Sequence, residues 1–151
     1  MDNVILLAED SEADVLNFKR VLESVGLCNP VQVVRDGHEA IAYMKGEGQY
    51  ADRERFPVPS ILFLDLLLPR VDGWFVLNWL STQRLPNKFL IIVITGLEEL
   101  LRLQEAYSKG AHSFIVKPFQ AEEVKGLIKY WPELWMHKAE QDAHAAAAGR
   151  R

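Results

Sequence analysis

An α/β domain, doubly wound about a five-stranded parallel sheet, is the fold class the sequence predicts, and three observations predict it. Five short apolar runs, bounded by turn residues, alternate with stretches of helical apolar spacing. Residues 61–64 and 89–94 are apolar without alternation, the pattern of strands covered on both faces. No second hydrophobic cluster of domain size is present, so the 151 residues read as one domain able to bury roughly two-thirds of its unfolded surface. Such alternation implies parallel strands joined by right-handed crossovers.

Residues 4–8 (V-I-L-L-A) are the first strand, which stops at Glu9 and Asp10. Ser11-Glu12-Ala13-Asp14 then resembles a capping box, and Val15, Phe18, Leu22 and Val25 give the following helix one apolar face that Gly26 ends. Residues 31–34 are the second strand; Ala40, Ile41 and Met44 mark the buried face of a modest helix after the Asp36-Gly37 turn. Residues 45–59 are polar, rich in breakers and long for a helix-to-strand connection. A surface insertion without chemistry is expected there, as either an ordered excursion or a mobile loop.

The central stretch, S-I-L-F-L-D-L-L-L-P-R-V-D-G-W over residues 60–74, carries Asp65 at the carboxyl end of a buried strand. Residues 74–80 form a helix apolar almost all round, whose outer face is expected to meet a partner or to seat Tyr50 and Phe56. The fourth strand ends at Thr95-Gly96, and Leu100, Leu103 and Tyr107 stripe the next helix up to Gly110. The fifth strand, residues 114–116, ends at Lys117-Pro118, and Val124, Leu127, Ile128 and Trp131 mark the last helix. Pro132 should break it. The domain thus spans residues 1–131, and residues 132–151 are expected to be a frayed, partly disordered extension. Trp131, Leu134 and Trp135 are expected to form an exposed patch that self-associates or docks a partner, in preference to covering the sheet's edge.

Composition excludes several classes. The net charge is −4 with basic residues scattered singly, which gives no footprint for nucleic acid. No basic leader opens the chain, and no apolar stretch approaches the roughly 20 residues that cross a membrane, so a soluble, cytoplasmic protein is expected. The lone Cys28 reads as a partly buried structural thiol, and the four histidines have no metal-binding spacing.

What remains is a set of polar residues at strand ends: Glu9 and Asp10, Asp65, Thr95 and Lys117. Open α/β sheets place their chemistry on that rim. Unit charges ~4 Å apart cost about 4 kcal/mol at an effective dielectric of 20, so three converging carboxylates call for a cation. All-oxygen ligation suits Mg²⁺ or Mn²⁺, and the ammonium of Lys117 with the hydroxyl of Thr95 suits an incoming phosphoryl group. Asp65 would attack phosphorus in line to give an aspartyl phosphate.

These residues, with Pro69, Asp72-Gly73, Gly110-Ala111, Phe114-Ile115 and Pro118-Phe119, closely resemble the receiver domains of two-component response regulators. The resemblance implies the flavodoxin-like (βα)5 fold with strand order 2-1-3-4-5. It implies that Glu9, Asp10, Asp65 and the Leu67 carbonyl hold the metal, that Asp65 is the phosphoacceptor, and that Thr95, Lys117 and the Gly96 backbone bind the phosphoryl group. Thr95 and Phe114 would form the switch pair, with Pro118 in a cis peptide after Lys117. Leu67 and Leu97 lie where hydrolytic water would approach in the family, which implies a long-lived phosphate. The insertion, the D-L-L-L-P stretch and the aromatic ending are similar to stand-alone regulators that serve phytochrome-type histidine kinases, and imply a homodimer phosphorylated by such a kinase. No output domain follows, so signalling by protein contact, without substrate turnover, is expected. The competing hypotheses are a phosphorylation-independent docking or dimerisation module and, ranked last, a small-molecule phosphotransferase.

Overall fold

The computed structural model describes residues 3–85 and 88–149. Five strands, β1 (Ile5–Ala8), β2 (Val31–Val34), β3 (Ile61–Asp65), β4 (Leu90–Thr95) and β5 (Ser113–Val116), form one parallel sheet in the order β2-β1-β3-β4-β5. Alternate strand residues point to opposite faces, which divides the core in two. Leu6, Leu62, Leu64, Ile91 and Val93 meet α2 (Gly37–Lys45), α3 (Gly73–Thr82) and α4 (Leu103–Ser108). Ile5, Leu7, Ile61, Phe63, Ile92 and Ile94 meet α1 (Glu12–Ser24) and α5 (Ala121–Tyr130). Burying each such side chain contributes about 1.5–3 kcal/mol.

Register delivers the polar residues to one rim. Ala8 pairs with Leu64, which brings Glu9 level with Asp65; Asp65 pairs with Ile94, and Thr95 pairs with Val116, one residue before Lys117. Side-chain caps fix the loops between. Ser11 accepts from the Asp14 amide, Asp36 from Glu39 and Asp72 from Phe75, and Gln120 and Glu123 form a capping box. Gly73 is required where α3 meets β3: a Cβ there would lie 2.1 Å from the Asp65 carbonyl oxygen.

The insertion is ordered. Arg53 donates to the carbonyls of Met44 (2.9 Å) and Phe56 (3.1 Å), and Tyr50 and Phe56 pack their rings against Tyr43 of α2. The outer face of α3 therefore does not seat them, and Phe75 stays exposed on it.

Two expectations are corrected. A 3-10 turn, Glu98–Arg102, precedes α4, and its tighter winding rotates the helix away from a continuous 3.6-residue stripe. Ala106 consequently faces the core, Leu100 and Leu103 are only partly buried, and Tyr107 is exposed. The second correction concerns the extension. A 3-10 turn at Pro132–Leu134 sends the chain back under the sheet, and Trp135 is 5% exposed with its ring 6.5 Å from Phe63. Asn29 locks it there, donating to the Leu134 carbonyl (2.9 Å) and accepting from the Met136 amide (2.8 Å). Trp131 and Leu134 pack partly buried on the same core, so the three residues do not form an exposed patch. Beyond them α6 (Lys138–Gly149) is helical and exposed, where a frayed tail was expected; Met1, Asp2, Arg150 and Arg151 lie outside the described residues.

Candidate functional site

Lys117 organises the rim. Its ammonium lies 2.7 Å from Glu9 Oε1, 2.7 Å from Asp65 Oδ2 and 3.0 Å from Asp14 Oδ2. Glu9 and Asp65 are buried, whereas Asp10 is exposed. Ligand atoms of Glu9, Asp10 and Asp65 nonetheless lie within 4.8 Å of one another. The second Asp65 oxygen accepts from the Leu67 amide (2.9 Å), which folds the following loop over the acid.

Electrostatics at the site favour a cation. Burial, then a proton shared with Asp65, pushes the Glu9 carboxyl up to about 9 against the opposing pull of Lys117. Burial works to lower the pKa of Lys117, but the carboxylates, Asp65 first, outweigh it and raise it. Asp14 is held below its ordinary value by hydrogen bonding with Glu9 and by Lys117, against partial burial. Glu9 Oε2 is buried with no protein donor, so it needs either a proton or a metal ion. An all-oxygen acid set with an orphaned oxygen fits a hard divalent cation.

On the adjoining strand Thr95 Oγ1 is buried without a partner. Phe114 pairs with Val93, two residues before Thr95, which puts Thr95 and Phe114 on the same sheet face. Phe114 is 36% exposed. The Gly96 amide donates to Glu99 Oε2 at 3.0 Å, and the Lys117-Pro118 peptide is cis.

The structure thus brings Glu9, Asp10, Asp65 and Lys117 together and sets Thr95 and Gly96 at the end of the neighbouring strand. Asp14 and Glu99 escaped sequence reasoning. Asp14 sits where a capping box is expected, and its backbone does bond Ser11 Oγ (3.3 Å), but its carboxylate turns to Lys117. Its place in the first turn after Glu9-Asp10 was the available signal.

A parallel sheet that brings Glu9, Asp10, Asp65 and Lys117 to one rim, beside an unpartnered buried hydroxyl, has the architecture of a receiver-type signalling domain. The chain belongs to the response regulator receiver domains: that family's model matches residues 5–129. It is 29% identical over 136 residues to the probable methanogenesis regulatory protein FilR2 of Methanothrix harundinacea, covering 88% of this chain and 83% of that protein. Response regulator Rcp1 of Synechocystis sp. is 28% identical over 134 residues, covering 86% and 89%. The solved Mn(2+)-bound form of Rcp1 matches with a TM-score of 0.72 at 28% identity, covering 85% of this chain and 94% of that chain. The bacteriophytochrome response regulator RtBRR matches at 0.75 with 32% identity, covering 85% and 77%. The expected fold and strand order are those observed.

Proposed function

We propose that this receiver accepts a phosphoryl group on Asp65 from a phosphorylated histidine of a sensor kinase and signals through protein contacts, without turnover of a substrate of its own. The observation that carries this reading is the buried Asp65 carboxylate, at a strand end, 2.7 Å from Lys117 and within reach of Glu9 and Asp10. In the transfer an Asp65 oxygen bonds phosphorus as the phosphorus–nitrogen bond to the imidazole breaks, and the freed ring nitrogen takes a proton. Lys117 follows the charge onto the phosphoryl oxygens, and Thr95 Oγ1, which has no protein partner, donates to one of them. Glu9, Asp10, Asp65 and the Leu67 carbonyl would hold Mg²⁺ or Mn²⁺, which when bound supplies positive charge against the phosphoryl oxygens. Gly96 would contribute its amide. As Thr95 moves toward the phosphate, the exposed Phe114 and the Pro118 loop behind it would rearrange and present the signal.

A phytochrome-type kinase as donor is supported by the insertion at 45–59 and by the similarity to a regulator described as a bacteriophytochrome response regulator. A cytoplasmic homodimer belongs to the same reading; Trp131 and Leu134 keep partial exposure that a second copy could cover. The test is incubation with acetyl phosphate and Mg²⁺. One added phosphoryl mass in the wild type and none in Asp65→Asn is expected, whereas equal labelling would overturn the assignment. Light scattering with and without beryllofluoride reads the dimer.

A further inference from the structure

One donor at the phosphoryl-binding rim is already engaged by this chain. The Gly96 amide, next to the unpartnered Thr95 hydroxyl, donates to Glu99 Oε2 at 3.0 Å. Glu99 belongs to the 3-10 turn Glu98–Arg102. At the far end of that turn the Arg102 guanidinium lies 3.9 Å from the Trp74 ring centroid and holds both oxygens of Glu105 at 3.0 and 3.2 Å. The turn is therefore pinned at both ends, at one of them by a carboxylate on an amide of the rim.

A carboxylate and a phosphoryl oxygen ask the same of a backbone N–H, a short charge-assisted bond. Both cannot use one hydrogen, and two anions brought to it repel each other. We propose that Glu99 is an internal stand-in for the phosphoryl group: it occupies the Gly96 amide before phosphorylation, opposes phosphoryl binding, and is expelled when a phosphoryl oxygen takes the amide. Expulsion frees the first residues of the turn, while Arg102 on Trp74 remains as the hinge. The step is an exchange of hydrogen-bond acceptors, with no covalent change beyond phosphorylation itself. Glu99 acts as a positioning residue that sets how readily Asp65 is loaded and couples loading to the segment before α4. This inference rests on Asp65 as phosphoacceptor.

The experiment compares the full chain with Glu99→Ala, Glu99→Gln and Glu98→Ala, the last removing a neighbouring exposed carboxylate that does not bond Gly96. Affinity for beryllofluoride with Mg²⁺ should rise about three- to tenfold in Glu99→Ala, the scale of one lost charged hydrogen bond on an exposed turn. Glu99→Gln, which keeps an acceptor without the charge, should fall between, and Glu98→Ala should match the wild type. Hydrogen exchange at the Gly96 amide should be faster in free Glu99→Ala than in the free wild type and equal once beryllofluoride is bound, a pattern that general loosening would not produce. Unchanged or weaker binding in Glu99→Ala, or an equal gain in Glu98→Ala, would overturn the proposal. If Glu99→Ala fails to fold, the gain in Glu99→Gln decides. A wild type that neither binds beryllofluoride nor labels at Asp65 would remove the phosphoacceptor reading itself, whereas normal labelling with an unaffected Glu99→Ala removes only the role of Glu99.

Discussion

Lys117 and Asp65 form an ion pair of 2.7 Å across 52 positions of sequence, and the same ammonium also holds Glu9 and Asp14. One ammonium therefore compensates three acids. Lys117→Met should lower stability by about 1–3 kcal/mol, less than the ~3–5 of breaking a fully buried pair, because the Lys117 side chain is 32% exposed and Glu9 can carry a proton. In the Lys117→Met, Asp65→Asn double variant the loss should shrink, since the buried Asp65 carboxylate left without its cation is gone. Urea unfolding of the four proteins measures the coupling; strict additivity would contradict it.

Asp10 divides metal affinity from stability. It is exposed and, among the described residues, makes no ion pair, yet its carboxylate lies in the three-acid group. Asp10→Ala should change metal-free stability by no more than about 0.5 kcal/mol. Mg²⁺ at a hundred times its Kd should stabilise the wild type by about 2.7 kcal/mol and raise its Tm, and this gain should vanish in the variant at the same concentration. A persistent gain would place the cation elsewhere.

Trp135 is core, and removing it should show that. The indole packs near Phe63 beneath the sheet, so Trp135→Ala should cost about 3 kcal/mol. The loss should appear in urea unfolding independently of protein concentration. A change confined to association, with the unfolding midpoint kept, would return Trp135 to the surface.

How much of this could be read from the chain depends on the range of the forces involved. The parallel sheet and the rim of Glu9, Asp65, Thr95 and Lys117 follow from apolar runs ending in polar residues, since parallel strands carry their ends to one edge, whereas the strand order follows only from the resemblance to receiver domains. Asp14 and Glu99 were hidden because their roles depend on side-chain direction at the first turn of α1 and in a 3-10 turn that no apolar stripe announces. Trp135 was misread for a related reason. Pro132 does end the helix, but the return beneath the sheet is fixed by Asn29, over a hundred positions away in the chain, and by the bridge between Leu27 and His137.

Tyr43 and Tyr50 carry the insertion and should report its docking in alkali. Tyr43 donates to the Pro57 carbonyl at 2.8 Å and Tyr50 to Glu39 at 3.4 Å. Burial first, then Glu39 for Tyr50, pushes each phenol from 10.0 up to about 12. Each folded phenol holds its proton more tightly than the unfolded one. The stability this contributes is full below pH 10.0 and is lost as pH rises toward about 12. Phenolate absorbance should show two groups ionising late, together with unfolding, and Tyr43→Phe should remove one of them and cost about 1 kcal/mol at neutral pH. Early reversible ionisation of both groups would mean the insertion is not docked.

Leu67 and Leu97 should lengthen the life of a phosphate on Asp65. Leu67 donates its amide to Asp65 and is itself 60% exposed, and Leu97, two residues beyond Thr95, is 76% exposed. Neither side chain has a polar group to orient a water molecule for attack on phosphorus. Replacing Leu67 with Asn leaves the backbone bond to Asp65 in place and supplies a group that can hold the water. Hydrolysis of the aspartyl phosphate should then speed up about five- to tenfold, which corresponds to ~1–1.4 kcal/mol on the barrier. Decay of the phosphorylated species after removal of donor gives the rate. A wild-type phosphate that decays as fast as that of Leu67→Asn would show that the leucines do not protect it.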